Sequence, residues 1–504
     1  YMIESGFINV YYRIGKIFCE SDRNNIEGTS KNNWANYGFS RDLTRIIFSN
    51  SYKRLAGKTQ IFPTYYNEHL MTRLTHTLVV NNIAMDISQR INKIRPEYCI
   101  NLDLVQAIAN GHDIGHTPFG HAGERELNYL VKKYINIDYF FKHNYFSVEI
   151  LQNLDKIKSF DYGYDLSWQV IDGILKHTDL PKLKYQDAIW PQFKNKFLVS
   201  NSLKKALNEL GYDNYLEYPY PLTIEGQIVK ISDEIAQYYH DVLDLSRYFK
   251  NDIIFLELIK TIFNETNFEL DIIKDYEKKF YSTFMKRQAL KKQKILDKDN
   301  REFFANEIKE VFINDIVYSI LNKNKIKCVK INNNNKERFI VENIIFQLDD
   351  NGKVLPMFSS SNISNISKAL SKYRDDYLKD DMKILFYDKS GRISIKNTFE
   401  LIADDKILFN KYCSKEIVYY VNDLITKRQL NFKINNILIT KKNIAKYKTL
   451  IVETIFNLTH DKNENFNIYS KNEIKFLKNV FYGTIIEAVA RMTDHYILDK
   501  KFIE

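Results

Sequence analysis

Glycine and proline are scarce in this chain, with 16 glycines and 8 prolines among 504 residues. Because these residues end or bend regular elements, their scarcity favours long helices over many short strands. Hydrophobic residues make up 44%, including 35 tyrosines and 33 phenylalanines, which supplies a large core and argues against disorder. At about 150 residues per domain, the length allows two or three domains or one large one. Mean hydropathy is −0.39, and no window approaches the roughly 18 apolar residues of a spanning helix, so we expect no membrane segment.

The charge balance is mildly basic, with 73 lysines and arginines against 63 aspartates and glutamates. The net charge of +10 suits a polyanionic partner such as a nucleotide or nucleic acid, although a genome rich in Lys, Asn, Ile and Tyr codons gives the same excess. No secretory signal is expected, because no basic segment followed by an apolar one stands near the start. The four cysteines lie far apart, at Cys19, Cys99, Cys328 and Cys413. We therefore expect neither a disulfide framework nor a cysteine zinc site, and this spacing suits a reducing cytoplasm.

Apolar periodicity predicts helices over most of the first half of the chain, at residues 70–91, 102–109, 117–134, 146–154, 167–176 and 223–249. Thr117 and Pro118 have the character of an N-cap and a first helical position. Two hairpins are predicted in the second half, one pairing 325–331 with 339–348 and one pairing 383–387 with 392–395. Helices are expected again from about residue 411. The predicted fold class is therefore mainly α with a small β element.

Four residues have the character of metal ligands: His76, the neighbours His112 and Asp113, and Asp233. Adjacent residues inside a helix point about 100° apart and seldom share one ion. The His-Asp pair escapes this limit because it stands where a helix ends, between two nearby glycines. Two imidazoles and two carboxylates form a borderline site that suits Mn²⁺, Fe²⁺, Co²⁺, Ni²⁺ or Zn²⁺ more naturally than Mg²⁺.

The most specific stretch is 112–124, which reads His-Asp-Ile-Gly-His-Thr-Pro-Phe-Gly-His-Ala-Gly-Glu. After the His-Asp pair it adds His116, His121 and Glu124 within eleven residues. His121 and Glu124 are three residues apart on the predicted helix, so the carboxylate can hydrogen-bond the imidazole and keep it basic. The helix start also offers backbone N–H groups to an anion.

With these stretches the chain resembles the HD-domain deoxynucleoside-triphosphate triphosphohydrolases, the dGTPase family. The resemblance covers roughly 40–250 and the very end, and it implies an HD metallohydrolase core at 41–255 after an irregular segment at 1–40. It also implies a helical C-terminal region at 256–504, whose closing motif near 487–498 packs on the core. The matching stretches stand in the family's order: Asp42-x-x-Arg45-Ile46-Ile47-Phe48-Ser49, residues 54–63, 72–78 and 111–124, Lys142-His143-Asn144, residues 225–236 and Met492-Thr493-Asp494-x-Tyr496.

The resemblance also implies roles for individual residues. One divalent ion per subunit, with Mn²⁺ and Mg²⁺ as first candidates and Fe²⁺, Co²⁺, Ni²⁺ and Zn²⁺ as others, would be held by His76, His112, Asp113 and Asp233. The catalytic residues would be His121, Glu124 and His143. In the substrate site, Gln60 would hydrogen-bond the 3′-hydroxyl of the sugar, and Arg73 and Lys176 would contact phosphate. His116 would lie in the substrate site or directly behind it. Gln237 stands where the family has a tyrosine against the sugar, and it is expected to line the pocket with Tyr238.

The implied activity is metal-assisted hydrolysis of a dNTP, dGTP among them, at the α-phosphorus, which yields a deoxynucleoside and inorganic triphosphate. Two alternatives stay open: another HD-domain nucleotide phosphohydrolase or phosphodiesterase, and a regulatory HD protein that senses nucleotides or nucleic acid. The expected partners are a dNTP substrate, a second copy of the chain in a tetramer or hexamer, and, as further candidates, an allosteric nucleotide and single-stranded DNA.

Overall fold

The computed structural model describes residues 38–61, 70–135, 141–155, 163–179, 198, 200–213, 215–249, 298–323, 328–333, 336–350, 353–359, 361–378, 381–427, 432–434, 437–460 and 471–498. These are called the described residues below. The predicted mainly α class is confirmed over them, since they form sixteen α-helices and three two-stranded sheets. The predicted boundaries stay predictions, because residues 1–37 and the junction at 255 lie outside the described residues.

The α-helices, in chain order, are α1 (Gly38–Ile47), α2 (Asn50–Arg54), α3 (Arg73–Ile94), α4 (Leu102–Gly111), α5 (Gly120–Leu130), α6 (His143–Glu149), α7 (Trp168–Leu175), α8 (Asn201–Asn208), α9 (Ile224–Phe249), α10 (Lys298–Leu321), α11 (Ser361–Leu378), α12 (Met382–Asp404), α13 (Lys406–Lys427), α14 (Lys448–His460), α15 (Lys471–Ala490) and α16 (Asp494–Leu498). Single π-helical turns extend α5 through Val131–Ile135 and α6 through Ile150–Leu154.

The antiparallel strand pairs are β1 (Cys328–Asn333) with β2 (Lys336–Val341), β3 (Phe346–Leu348) with β4 (Val354–Pro356), and β5 (Lys433–Ile434) with β6 (Ile437–Leu438). In the first pair Cys328 stands opposite Val341 and Ile331 opposite Arg338. This pair confirms the first predicted hairpin, although the second predicted strand is divided between β2 and β3.

The chain divides into two compact units. Unit 1 comprises Tyr1–Ile114, Tyr164–Leu180 and Phe193–Leu385, and unit 2 comprises Gly115–Gly163, Pro181–Gln192 and Phe386–Glu504. In unit 1 the long helix α9 is central and packs against α3, α4, α7 and α10. In unit 2, α15 packs against α5, α13 and α14.

The helices of unit 1 begin and end where their sequences provide caps. The Thr72 side chain accepts a hydrogen bond from Thr75 N at 3.2 Å at the start of α3. Asn101 does the same for Leu104 N at 3.0 Å at the start of α4. Helix α4 ends at Gly111, whose added Cβ would stand 2.4 Å from Ile174 Cδ1 on α7. The chain therefore leaves α4 just before His112 and Asp113.

One predicted hairpin and one predicted helix start are wrong. Residues 383–395 do not form a hairpin but lie within α12. Their buried positions, among them Ile384, Tyr387, Gly391 and Ile395, recur every three or four residues, which is the helical period. Gly391, which suggested a turn, is instead a packing glycine, because a Cβ there would stand 2.5 Å from Phe119 Cγ.

The helix that carries His121 and Glu124 starts later than predicted, at Gly120. Phe119 precedes it with φ +58°, a left-handed conformation that is uncommon outside glycine. The Thr117 hydroxyl donates to Gly120 O at 2.7 Å, so it serves this turn and does not act as the N-cap. Among the described residues, no helix is long and apolar enough to cross a membrane.

Candidate metal centre

The four residues predicted as metal ligands converge within unit 1. His76 lies in the first turn of α3, His112 and Asp113 follow α4 directly, and Asp233 lies on α9. His76 Nε2 is 2.8 Å from Asp233 Oδ1, and His112 Nε2 is 3.8 Å from the same oxygen. Asp113 completes the ring, with Oδ1 3.5 Å from His112 Nε2 and Oδ2 3.9 Å from His76 Nε2. All of these contacts join nitrogen and oxygen atoms of the kind that bind a borderline divalent ion.

The hydrogen bonding of His112 and the charge of Asp233 indicate that these four residues suit a divalent cation. His112 Nδ1 lies 2.7 Å from Ala109 O, and because a carbonyl oxygen only accepts, Nδ1 carries the proton. In the neutral ring Nε2 then presents a lone pair toward the carboxylates of Asp113 and Asp233. Burial by itself would raise the pKa of Asp233, but the adjacent imidazoles of His76 and His112 hold it well below its usual range, so the carboxylate stays ionised. The site thus brings two buried carboxylates beside imidazole nitrogens, and a divalent cation would balance their negative charge.

Arg73 braces one ligand of this centre. Its guanidinium NH1 donates to Asp113 Oδ2 at 3.0 Å, Nε donates to Thr59 O at 3.3 Å and NH2 donates to Gln60 O at 3.4 Å. These bonds fix one oxygen of Asp113 and leave Oδ1 toward the imidazoles. The predicted role of Arg73 at a phosphate stays a prediction beside this observed one.

Two further histidines, which the sequence did not assign as ligands, lie beside the four predicted metal ligands. His240 on α9 approaches from the far side of His76, with the two Nδ1 atoms 3.1 Å apart. His177, just after α7, places Nε2 3.9 Å from Asp113 Oδ1 and its ring centre 4.9 Å from that of His112. For His240 the sequence offered a signal, because it follows Asp233 by two turns on the same predicted helix, whereas His177 only stands next to Lys176.

Lys176 is fully buried in unit 1. Its Nζ is 3.5 Å from Asp172 Oδ1, 3.8 Å from the centre of the Tyr215 ring and 5.1 Å from that of Tyr218. Burial lowers the pKa of Lys176 to about 8, against the opposing charge of Asp172. The observed partners of the ammonium are thus a carboxylate and two aromatic faces, and its contact with a polyphosphate stays a prediction.

The remaining predicted substrate residues of unit 1 have different surroundings. Tyr238 is buried, its ring packs on Phe312 with centroids 4.9 Å apart, and burial raises the pKa of its hydroxyl. Gln237 is half-buried on the same helix. Gln60 is half-buried too, and its Oε1 has no hydrogen-bond partner among the described residues, so that oxygen is available to a hydroxyl donor.

Unit 2 holds the predicted catalytic residues as a histidine–glutamate cluster, defined as His116, His121, Glu124 and His143. His143 Nδ1 lies 3.0 Å from Glu124 Oε2, and the His143 ring stacks on His116 with centroids 3.8 Å apart. Burial would raise the pKa of Glu124, but the hydrogen bond from His143 and the charges of His143, Lys142 and His121 lower it to about 2. The structure therefore pairs the carboxylate with the more distant histidine along the chain, whereas His121 is exposed and acts on Glu124 through its charge.

Backbone contacts position this cluster. Gly115 N donates to Ser147 Oγ at 2.8 Å, and a Cβ at Gly115 would lie 2.2 Å from His143 O, so only glycine allows this approach. The strained turn before α5 is held from the C-terminal end of the chain, because Phe119 N donates to Asp494 Oδ1 at 2.9 Å. Tyr387 donates to the other oxygen of Asp494 at 2.9 Å. The sequence pointed to the motif around Asp494 but not to this contact.

Comparisons with known proteins agree with this geometry. The model of the HD domain family matches residues 73–238, which include all four predicted ligands. The chain is 34% identical over 206 residues to a deoxyguanosinetriphosphate triphosphohydrolase-like protein of Rickettsia felis, and 35% identical over 206 residues to one of Rickettsia bellii. In both cases the match covers 41% of this chain and 46% of the relative.

The chain thus spans about half the length of the curated relatives it matches. The predicted resemblance to HD-domain proteins of the dGTPase type is confirmed over that part. Residues 73–238, with their ring of two histidines and two aspartates, match the model of the HD domain family.

Proposed function

We propose that this chain is a metal-dependent dNTP triphosphohydrolase. The observation that carries the proposal is the convergence of His76, His112, Asp113 and Asp233 in unit 1, within a segment similar to proteins named for dGTP triphosphohydrolysis. The coarser part of the proposal is an HD-domain phosphohydrolase, and the finer part is the dNTP substrate and the release of triphosphate.

The four converging residues would hold one divalent ion, with Mn²⁺ and Mg²⁺ as first candidates and Fe²⁺, Co²⁺, Ni²⁺ and Zn²⁺ as others. Such an ion supplies Lewis-acid stabilisation to phosphate oxygens as their charge grows during hydrolysis. Arg73 keeps Asp113 oriented through the 3.0 Å bond to Oδ2. It would also place a positive charge near the polyphosphate, since stabilising charge on phosphate oxygens is the main demand of phosphoryl chemistry.

The proton transfers fall to the histidine–glutamate cluster. Water oxygen bonds to the α-phosphorus as the bond between phosphorus and the 5′-oxygen breaks, one proton leaves the water and one reaches the 5′-oxygen. Glu124, ionised because its pKa is about 2, accepts the Nδ1–H of His143 and makes the opposite nitrogen of that ring the basic one. His121, exposed on α5, is the candidate donor to the 5′-oxygen.

Substrate binding is proposed for the remaining predicted residues: Gln60, Arg73, His116, Lys176, Gln237 and Tyr238. Support is strongest for Gln60, whose buried Oε1 has no hydrogen-bond partner among the described residues and suits a sugar hydroxyl. Gln237 offers an amide where the family has an aromatic ring, so discrimination at the sugar is expected to rely on hydrogen bonds more than on stacking.

The test is a product assay with the full chain. Each dNTP and rNTP is incubated with Mn²⁺, Mg²⁺ or Co²⁺, with and without a second nucleotide, and the products are separated by ion-exchange chromatography. We expect inorganic triphosphate and deoxynucleoside from at least one dNTP, and a fall of at least about a hundredfold in the H112A/D113A variant. H460A, at the end of α14, is the matched control and should keep full activity.

Release of phosphate or pyrophosphate alone would contradict the triphosphohydrolase and favour another HD phosphohydrolase. Nucleotide binding without any product would favour the regulatory sensor. The homo-oligomer, the allosteric nucleotide, single-stranded DNA and the cytoplasmic location stay predictions, and light scattering with and without nucleotide measures the first two together.

A further inference from the structure

His177 is a buried histidine of unit 1 that lies beside the predicted metal ligand Asp113 but is not one of the four predicted ligands. It follows α7 and is 3% exposed, so its imidazole is removed from water. Its Nε2 approaches Asp113 Oδ1 to 3.9 Å. The facing atoms of His112, Asp113 and His177 all lie within 4.8 Å of one another, which is a ligand triad of its own.

The hydrogen bonding of His177 selects its tautomer. Nδ1 lies 2.7 Å from Ile174 O, and since a carbonyl oxygen only accepts, Nδ1 carries the proton. His112 is held in the same way by Ala109 O at 2.7 Å. In its neutral form each ring therefore turns an Nε2 lone pair toward the same oxygen of Asp113. This is the arrangement of metal-bound histidines, in which a backbone carbonyl on one ring nitrogen makes the other nitrogen the ligand.

The orientation of Asp113 agrees with this arrangement. Its Oδ2 is bound by Arg73 at 3.0 Å, whereas Oδ1 faces His112 at 3.5 Å and His177 at 3.9 Å. Neutral imidazole nitrogens and a carboxylate oxygen that face one another in a buried place repel unless a proton or a metal ion lies between them. Two ligands bonded at about 2.1 Å to one ion lie at most about 4.2 Å apart, so the triad needs only a small adjustment to bind.

We infer that His177 is a third imidazole ligand of the metal centre, bound on the Oδ1 side of Asp113. This inference rests on the proposed metal centre and goes beyond it. With His177 the protein offers three imidazoles and two carboxylates, five ligands in place of four. More nitrogen in the shell favours Mn²⁺, Fe²⁺, Co²⁺ or Zn²⁺ over Mg²⁺, which prefers oxygen ligands and keeps several waters.

The test uses the H177N variant of the full chain, because an asparagine amide can keep the bond to Ile174 O and lacks an atom at the Nε2 position. The matched control is H460N, since His460 Nδ1 lies 2.8 Å from Phe456 O, the same kind of backbone bond. Free Mn²⁺ is measured by electron paramagnetic resonance during titration. We expect the Kd for Mn²⁺ to rise at least about tenfold in H177N and to stay unchanged in H460N.

Crystals soaked in Mn²⁺ and measured at the manganese absorption edge give the second readout. We expect His177 Nε2 at a bonding distance of about 2.2 Å from the ion. An ion bound by His76, His112, Asp113 and Asp233 with His177 Nε2 beyond bonding distance would overturn this inference and leave the proposed function standing. It would do so even if H177N bound Mn²⁺ weakly, since His177 would then only position Asp113. No bound ion at all would overturn both.

Discussion

At the scale of single residues, the environment of each histidine decides its chemistry. His112 and His177 each donate Nδ1–H to a backbone carbonyl at 2.7 Å. The partner of His76 Nδ1 is instead another imidazole nitrogen, His240 Nδ1 at 3.1 Å. One of these two Nδ1 atoms must donate and the other accept. If His76 is to bind a metal through Nε2, its own Nδ1 carries the proton and His240 accepts it.

This dependence of His76 on His240 is testable. In H240A the His76 ring loses the partner that fixes its tautomer and orientation, so we expect Mn²⁺ affinity to fall by about ten- to a hundredfold. In H240N an amide oxygen near the position of Nδ1 can still accept, and most of the affinity should return. Isothermal titration with Mn²⁺ measures both variants. Equal affinity of H240A and the parent chain would contradict the assigned contact.

At the scale of elements, helices position the predicted metal ligands. Helix α4 delivers His112 and Asp113 where it ends, and α9 delivers Asp233 from its third turn. The starts of these two helices are joined, because Glu225 Oε1 accepts from Asn101 N at 3.0 Å. Burial raises the pKa of Glu225 to about 6, although this backbone hydrogen bond opposes the rise. The contact between the starts of α4 and α9 therefore depends on the Glu225 carboxyl group, whose ionisation costs free energy in the folded state.

The pH dependence of stability follows from this carboxyl group. Because the folded pKa lies above the unfolded value, the folded state binds the proton more tightly, and its stability falls as pH rises from about 4.5 through about 6. The E225Q variant has no such proton, so we expect its stability relative to the parent chain to increase by about 2 kcal/mol between pH 4.5 and pH 7.5. Urea unfolding at both pH values measures the difference. A difference that does not change with pH would contradict the raised pKa.

At the scale of the whole molecule, residues far apart in sequence build one local structure within unit 2. Asp494 accepts from Phe119 N, 375 positions away in the chain, and from the Tyr387 hydroxyl. Phe119 has a positive φ of 58°, which costs about 1–3 kcal/mol and persists only where surrounding contacts fix it. The closing motif of the chain therefore stabilises the turn that leads into α5, with His121 and Glu124.

Replacing Asp494 should show this long-range support. D494A removes both acceptors, so we expect a loss of about 2–3 kcal/mol in unfolding free energy and a lower kcat at similar KM. D494N keeps an oxygen for Phe119 N and should lose less on both counts. Thermal unfolding and triphosphate release are the two measurements. D494N as damaging as D494A would show that the negative charge matters and the bond to Phe119 does not.

The sequence by itself determined the mainly α class, most helices of the first half and the four residues that converge around one position. These depend on local periodicity, on caps such as Thr72 and Asn101, and on residue types that bind cations, all of which are properties of short stretches. Only the tertiary structure placed His177 beside those four, paired Glu124 with His143 and surrounded Lys176 with Asp172 and Tyr215. It also showed that residues 383–395 are helical and that Gly391 packs on Phe119. Contacts between distant parts of a chain depend on which helix faces meet, and no short stretch of sequence contains that information.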